Sequence, residues 1–291
     1  MKLNEALKPL ERLLLALQIE VTSPKPWGAF HIIALCITFA IIGYLYTRRH
    51  HHSEVQLKCV LGVYGIVTLL LEIGKQFIWS FHYDAASNLV TWDYPWYAAP
   101  FQLCTTPMYV SLICLFLKKC KLRNALLSYM AYITILGSIA VMIIPTDCFC
   151  SDLLVNVHTT YLHFGSCVVS VYLLMSREVR LHRKALLTAI GTFLVFVCMA
   201  LLMNVAVYHA DILNGETFNM FYISPYFTSS LPVFSTIQPM VPYPVFFLMY
   251  VTVLTLGGVV VYNIAKMMKY LALRHKYHGH LTHHPHSVTR H

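Results

Sequence analysis

The sequence predicts an all-α polytopic membrane bundle of seven transmembrane helices, N-terminus outside and C-terminus in the cytosol. Three observations carry this reading. Hydrophobic residues make up 58% of the 291 positions and charged ones 11%, against about 45–50% and about 25% in soluble domains. Seven apolar stretches run close to 20 residues, the length an α-helix needs to cross about 30 Å of hydrocarbon. Basic residues gather in every second connection between those stretches, as the positive-inside rule requires. A soluble domain and a single-span anchor with a folded ectodomain are both excluded. The net charge of +9 is therefore a matter of topology, and no nucleic-acid partner is expected.

Residues 1–25 read as a short amphipathic segment on the outer surface, with Asn4 as a candidate cap and a stop at Ser23-Pro24. Its apolar core, Leu13–Leu17, is too short for a cleavable signal peptide. Residues 26–270 form the membrane domain. Its spans are expected at Trp27–Thr47, Leu57–Phe81, Ala98–Leu117, Ala125–Ile144, Val155–Met175, Ala185–His209 and Pro242–Ala265. The runs are continuous and do not alternate with period two, so a β-barrel is disfavoured.

Arg48, Arg49 and Lys58 lie in the first connection. Lys118, Lys119, Lys121 and Arg123 lie in the third, and Arg177, Arg180, Arg183 and Lys184 in the fifth. The tail holds Lys266, Lys269, Arg274, Lys276 and Arg290. The second, fourth and sixth connections hold none and carry Asp84, Asp93, Asp147, Asp152, Asp211 and Glu216. The N-terminal segment, with Lys2, Lys8, Arg12 and Lys25 against three acidic residues, mildly opposes the outward assignment.

The sixth connection, Asp211–Val241, is long and rich in aromatics and proline, including Phe218, Phe221, Tyr222, Tyr226, Phe227 and Phe234. Such loops are often functional. It reads either as a lid on the outer face or as an ordinary interfacial loop. Residues 271–291 read as a His-rich disordered tail with His283, His284 and His286; His50–His52 are read as solvated in the same way. The nine cysteines form neither a disulfide framework nor a zinc pattern, although Cys148 and Cys150 lie in an outward connection.

Ionisable groups inside spans are costly and mark functional candidates. Glu72, Lys75, Gln76 and Trp79 follow i, i+3, i+4, i+7 spacing on one helix face. Glu72 and Lys75 can pair there, as interhelical glue or as part of a site. Counting from the outer ends, Gln102 and Cys104 fall in the outer half of the third span. His158, Thr159, Thr160 and His163 fall there in the fifth, and Asn204 in the sixth. Scattered polarity thus collapses to one depth and suggests a common cavity. Cys with His suits nucleophilic acyl transfer, in which imidazole takes the thiol proton. Glu72, Gln102 and Asn204 could orient the ring or stabilise an oxyanion. Glu72, Lys75 and the histidines equally suit a proton or ion relay, and all of these groups suit interhelical hydrogen bonding in a scaffold.

Several ordered motifs resemble a known family. They are Glu72-Ile-Gly-Lys-Gln76; Tyr94-Pro-Trp; Pro100-Phe-Gln-Leu-Cys104; Pro145 with Asp147; His158-Thr-Thr-Tyr-Leu-His163-Phe-Gly165; Met203-Asn204; Asn219-Met-Phe; and Pro242-Tyr-Pro244. The chain resembles YwaF-type bacterial integral membrane proteins and, more distantly, transmembrane protein 164 of animals. The resemblance implies a multi-pass protein of a bacterial cytoplasmic membrane acting on membrane lipids, as a lipid acyltransferase or ester hydrolase. It implies His163 as general base and Cys104 as acyl-accepting nucleophile, with Gln102 where the bacterial form has histidine. Glu72, Lys75, Gln76, Gln102, His158, Asn204 and Asn219 would contact substrate. No metal or cofactor is expected. A proton- or ion-coupled transporter and a non-catalytic scaffold are the alternatives.

Overall fold

The computed structural model describes residues 3–49, 52–84, 86–87, 89–145 and 148–281. Asp147, His50, His51 and the histidines at 283, 284 and 286 lie outside them. The architecture is a helical bundle. Among the described residues five helices are long and apolar enough to cross a membrane: Ala29–Thr47, Glu54–Ser80, Lys121–Ile143, Arg183–His209 and Tyr243–Ala272. Two of the seven expected spans therefore differ from that description, each for a physical reason given below.

Helix α1, Leu3–Leu17, ends well before Ser23-Pro24. The backbone beyond it pairs elsewhere: Val21 N donates to Ser151 O at 2.8 Å and Leu153 N to Ile19 O at 3.0 Å. Asn4 lies inside the first turn rather than at a cap. Helix α2, Ala29–Thr47, packs mainly on the helix Leu153–Met175 and exposes most of its surface. His31 ties it down: Nδ1 accepts from Trp27 N at 3.0 Å and Nε2 meets Met142 O at 3.1 Å.

Helix α3, Glu54–Ser80, starts at Ser53, whose side chain accepts from Gln56 N. Such a cap satisfies one of the orphan donors of a first turn. Its buried face runs Leu57, Leu61, Tyr64, Thr68, Glu72, Lys75 and Ile78, steps of three and four that make one helical stripe. The polar pair thus continues the apolar seam into the bundle. An antiparallel hairpin follows, β1 Phe81–Asp84 with β2 Leu89–Trp92. Asp84 turns it, accepting from Ala86 N at 2.9 Å and Ser87 Oγ at 2.6 Å.

Helix α4 is only Thr106–Phe116, eleven residues, about 16 Å and too short to span. The expected Ala98–Leu117 span fails at its start because two prolines punctuate it. Pro107 sits in the first turn, where its missing N–H costs nothing. Residues 101–105 form a turn instead, with Gln102 N donating to Thr105 Oγ1 at 2.8 Å and Tyr109 OH to Pro100 O at 2.6 Å.

Helix α5, Lys121–Tyr129, a π turn over Met130–Thr134, and α6, Ile135–Ile143, form one continuous span, the most buried of the five. A π turn misaligns backbone bonds. Here Thr134 Oγ1 (3.1 Å) and Ser170 Oγ (2.9 Å) both donate to Met130 O. Helix α7, Leu153–Met175, has 23 residues, enough to span. Asn156, His158, Thr159, Thr160 and His163 lower its apolarity below that of the five. Gly165 is needed on it, because a Cβ there would lie 2.9 Å from Tyr64 Cδ2.

Helix α8 is Arg183–His209, and α10 is Tyr243–Leu281; the latter passes the expected end at Ala265. Between them the Asp211–Val241 connection contains the short α9, Phe234–Ile237. It is folded into the bundle rather than lying open: Phe218, Met220, Phe221 and Ile223 are all buried.

The end where α3 and α5 begin holds an ion cluster that sequence reading missed. Arg123, counted above as a loop charge, is 1% exposed. Its Nη1 and Nη2 lie 2.6 and 3.0 Å from the two oxygens of Glu54, and Nη2 is 3.0 Å from Glu178 Oε1. His52 closes the cluster, with Nε2 3.1 Å from Glu178 Oε2 and Nδ1 2.8 Å from Tyr172 OH.

Candidate functional site

The buried stripe of α3 brings Glu72 against three partners. Its Oε1 lies 2.7 Å from Lys75 Nζ and accepts from Gln76 Nε2 at 2.7 Å. Its Oε2 lies 2.7 Å from His158 Nε2 of α7, a close contact bent out of hydrogen-bond geometry. Gln76 Nε2 also donates to Ala98 O at 2.7 Å, which ties the site to the turn before α4. Lys75 Nζ stands 5.5 Å from the Trp79 ring centroid, a cation–π distance. Glu72 is 3% exposed, His158 3% and Lys75 8%, so the charges are removed from lipid and balanced by each other.

Depths agree. Glu72 is eight residues from the end of α3, and His158 and His163 are five and ten residues into α7. These spacings place all three about 7–15 Å from the same end of the bundle. His163 is buried on α7 five residues beyond His158, and its Nδ1 has no hydrogen-bond partner. The same is true of His158 Nδ1, Gln76 Oε1 and Thr160 Oγ1. Unsatisfied buried polar groups are costly, and each needs an explanation. All four lie on α3 and α7 toward the same end of the bundle, where a polar guest would give them partners.

Cys104 sits in the turn before α4, half-buried, within electrostatic range of Glu72, Lys75 and Cys148. Among the described residues no hydrogen bond joins it to His163. The two residues therefore form no hydrogen-bonded dyad.

Gln102, Asn204 and Asn219 have different work. Asn204 clasps the backbone of Met220, donating from Nδ2 to its O at 3.0 Å and accepting from its N at 2.7 Å. Gln102 donates to Asn219 O at 3.0 Å and accepts from Phe221 N at 2.8 Å. Asn219 accepts from Ser224 N at 2.8 Å and donates to Phe227 O and Thr228 O, both at 3.2 Å. All three amides are spent on loop backbone. They hold Phe221 and Tyr222 at φ of 57° and 58°, a left-handed conformation that costs about 1–2 kcal/mol per residue. Polarity at membrane depth flagged Gln102 and Asn204, and a family motif flagged Asn219; their backbone partners have no sequence signature.

A prediction follows for the clamp. Asn204→Leu leaves a buried N–H and C=O of Met220 without partners. It should cost about 2–4 kcal/mol and lower the melting midpoint of the detergent-solubilised protein, while Asn204→Asp, which keeps the acceptor, should cost less. Equal midpoints for Asn204→Leu and wild type would contradict the clamp.

The helices and their apolar surfaces make this a multi-pass membrane protein. No curated protein and no solved structure matches the chain. The TMEM164 family model matches residues 25–262, a range that covers α2 to α8, the loop and the first half of α10. Of the two likenesses drawn from the motifs, this supports the one to transmembrane protein 164. The chain belongs to the TMEM164 family.

Proposed function

We propose that the chain is a membrane-embedded lipid acyltransferase or ester hydrolase working at the Glu72–Lys75–His158–His163 site. The observation that carries this is the set of unpartnered imidazole nitrogens, His163 Nδ1 and His158 Nδ1, buried beside a carboxylate–imidazole contact. A buried ring nitrogen without a partner can take a proton from an attacking group and return it to a leaving alkoxide. Glu72 balances the imidazolium that forms, as a carboxylate does for a catalytic histidine. Cys104 is the candidate nucleophile: its thiolate would attack the ester carbonyl, expel the lyso-lipid alkoxide and hold the acyl group as a thioester. Water or an acceptor hydroxyl would then release it. Lys75 and Gln76 stand ready to bind the ester or phosphate oxygens of a lipid.

Seven crossings belong to the same proposal, with α4 plus its preceding turn and α7 crossing beside the five apolar helices. So does the orientation, which puts the site in the outer half of the membrane and Arg123 at the cytosolic end. Topology is tested by single cysteines in an otherwise cysteine-free chain. Ser87→Cys should react with an impermeant maleimide added outside intact cells, and Lys119→Cys should react only after permeabilisation. The reverse pattern would overturn the orientation.

Function is tested on purified protein in mixed micelles with a phospholipid carrying a labelled acyl chain. Release or transfer of that chain is expected. A transporter would instead move protons across sealed vesicles through the Glu72–His158 contact and leave the lipid intact.

A further inference from the structure

At the end of the bundle opposite this site, a shallow cleft runs between α8 and α10, lined by Arg183, Leu186, Leu187, Val259, Tyr262 and Asn263. Its walls are mainly apolar. Leu187 is strongly exposed on the outside of α8, one turn from Arg183. Tyr262 forms the floor, packed edge-on against Tyr132, whose hydroxyl donates to Arg180 O at 3.1 Å. Lys266 follows Tyr262 and Asn263 by four and three residues, so it rises on the same face of α10.

Charge at this end is one-sided. The only acidic residues in its connections are Glu54 and Glu178, and both are occupied by Arg123, with Lys119 and His52 as second partners. Among the described residues Arg180, Arg183, Lys184 and Lys266 enter no ion pair. The cleft thus has an apolar groove parallel to the helices and unneutralised cations at its rim. Lipids of the bulk bilayer offer the matching chemistry, because basic pockets between transmembrane helices hold anionic head groups.

We propose that this cleft binds one anionic phospholipid, its phosphate on Arg183 and an acyl chain along Leu186, Leu187 and Val259. The site is separate from the buried Glu72 cluster and does not depend on its chemistry. Arg183 lies at the α8 N-terminus, where backbone N–H groups add to its attraction for a phosphate.

The test is native mass spectrometry of the full chain in detergent, titrated with dioleoylphosphatidylglycerol or dioleoylphosphatidylcholine. Wild type should retain one phosphatidylglycerol in preference to phosphatidylcholine. Arg183→Ala should weaken that retention about fivefold, the value of one cation near a lipid phosphate. Arg49→Ala removes the same charge at the same end, but its side chain stacks on Tyr46 of α2, 3.7 Å from the ring centroid. It should change retention by less than about twofold. Leu187→Trp, which fills the groove and keeps every charge, should also release the lipid. Equal affinity of wild type and Arg183→Ala would overturn the proposal, as would equal losses in Arg183→Ala and Arg49→Ala. Displacement of the lipid by soluble glycerol phosphate would overturn the assignment of a lipid ligand.

Discussion

Arg123→Met should destabilise the protein by about 3 kcal/mol, the low end of the range for breaking one partner out of a buried ion cluster. The side chain is 1% exposed and holds two carboxylates, Glu54 and Glu178. Removing it leaves two like charges facing each other beside apolar walls. The loss falls at the low end because the Glu54 side chain keeps 37% of its surface exposed, so water recovers part of its solvation. The Glu178 side chain, at 11%, cannot recover as much. Neutralising both carboxylates in the same chain, as Arg123→Met with Glu54→Gln and Glu178→Gln, should restore most of the stability. Replacing a whole buried ion cluster is often close to neutral, whereas halving it is not. Thermal denaturation in a mild detergent checks both, and a wild-type midpoint for Arg123→Met would contradict the burial argument.

His163→Ala should lower turnover of a lipid ester by about 10²–10⁴-fold, the usual contribution of one positioned general acid–base group. The melting midpoint should change little, because the His163 ring nitrogen Nδ1 makes no hydrogen bond that folding would lose. That separation of activity from stability is the useful feature. His158→Ala should fail on both counts, since His158 faces Glu72 at 2.7 Å and its loss leaves Glu72 with Lys75 and Gln76 of its own helix and without its contact to α7. Cys104→Ser asks a different question. A serine hydroxyl is far less ionised than a thiol near neutral pH, so a thioester route should collapse. Full activity in Cys104→Ser would mean that an imidazole acts directly on water or on an acceptor hydroxyl, leaving the rest of the site in place.

Much of this arrangement was legible in the residue order, for particular reasons. The bounds of α2, α3 and α8 lie near the apolar runs that predict them, since lipid allows few alternatives to a helix. The Glu72–Lys75 contact follows from i, i+3 spacing, and its inward orientation from the cost of either charge in lipid. The depth count also brought His158 and His163 to the level of Glu72. Other features carry no local signal. Arg123 stands among Lys118, Lys119 and Lys121 and reads as one more loop charge; its burial depends on Glu178, fifty-five residues away. The turn at 101–105 turned on whether Pro107 would start the helix or sit within it. Asn204, Gln102 and Asn219 read as site polarity, because a backbone carbonyl partner looks the same under every sequence. The hairpin at Phe81–Trp92 was hidden in a connection counted only for its charge.

The central claim is that the buried cluster around Glu72, His158 and His163 performs acyl chemistry on a membrane lipid. The measurement that tests it most directly follows a labelled acyl chain from a defined phospholipid, with purified wild-type protein and His163→Ala at equal folded amounts. The account predicts release or transfer of the label by wild type and its loss in His163→Ala, with both proteins melting alike. Undiminished release by His163→Ala, or an intact lipid after incubation with folded wild type across a panel of head groups and chain linkages, would contradict it.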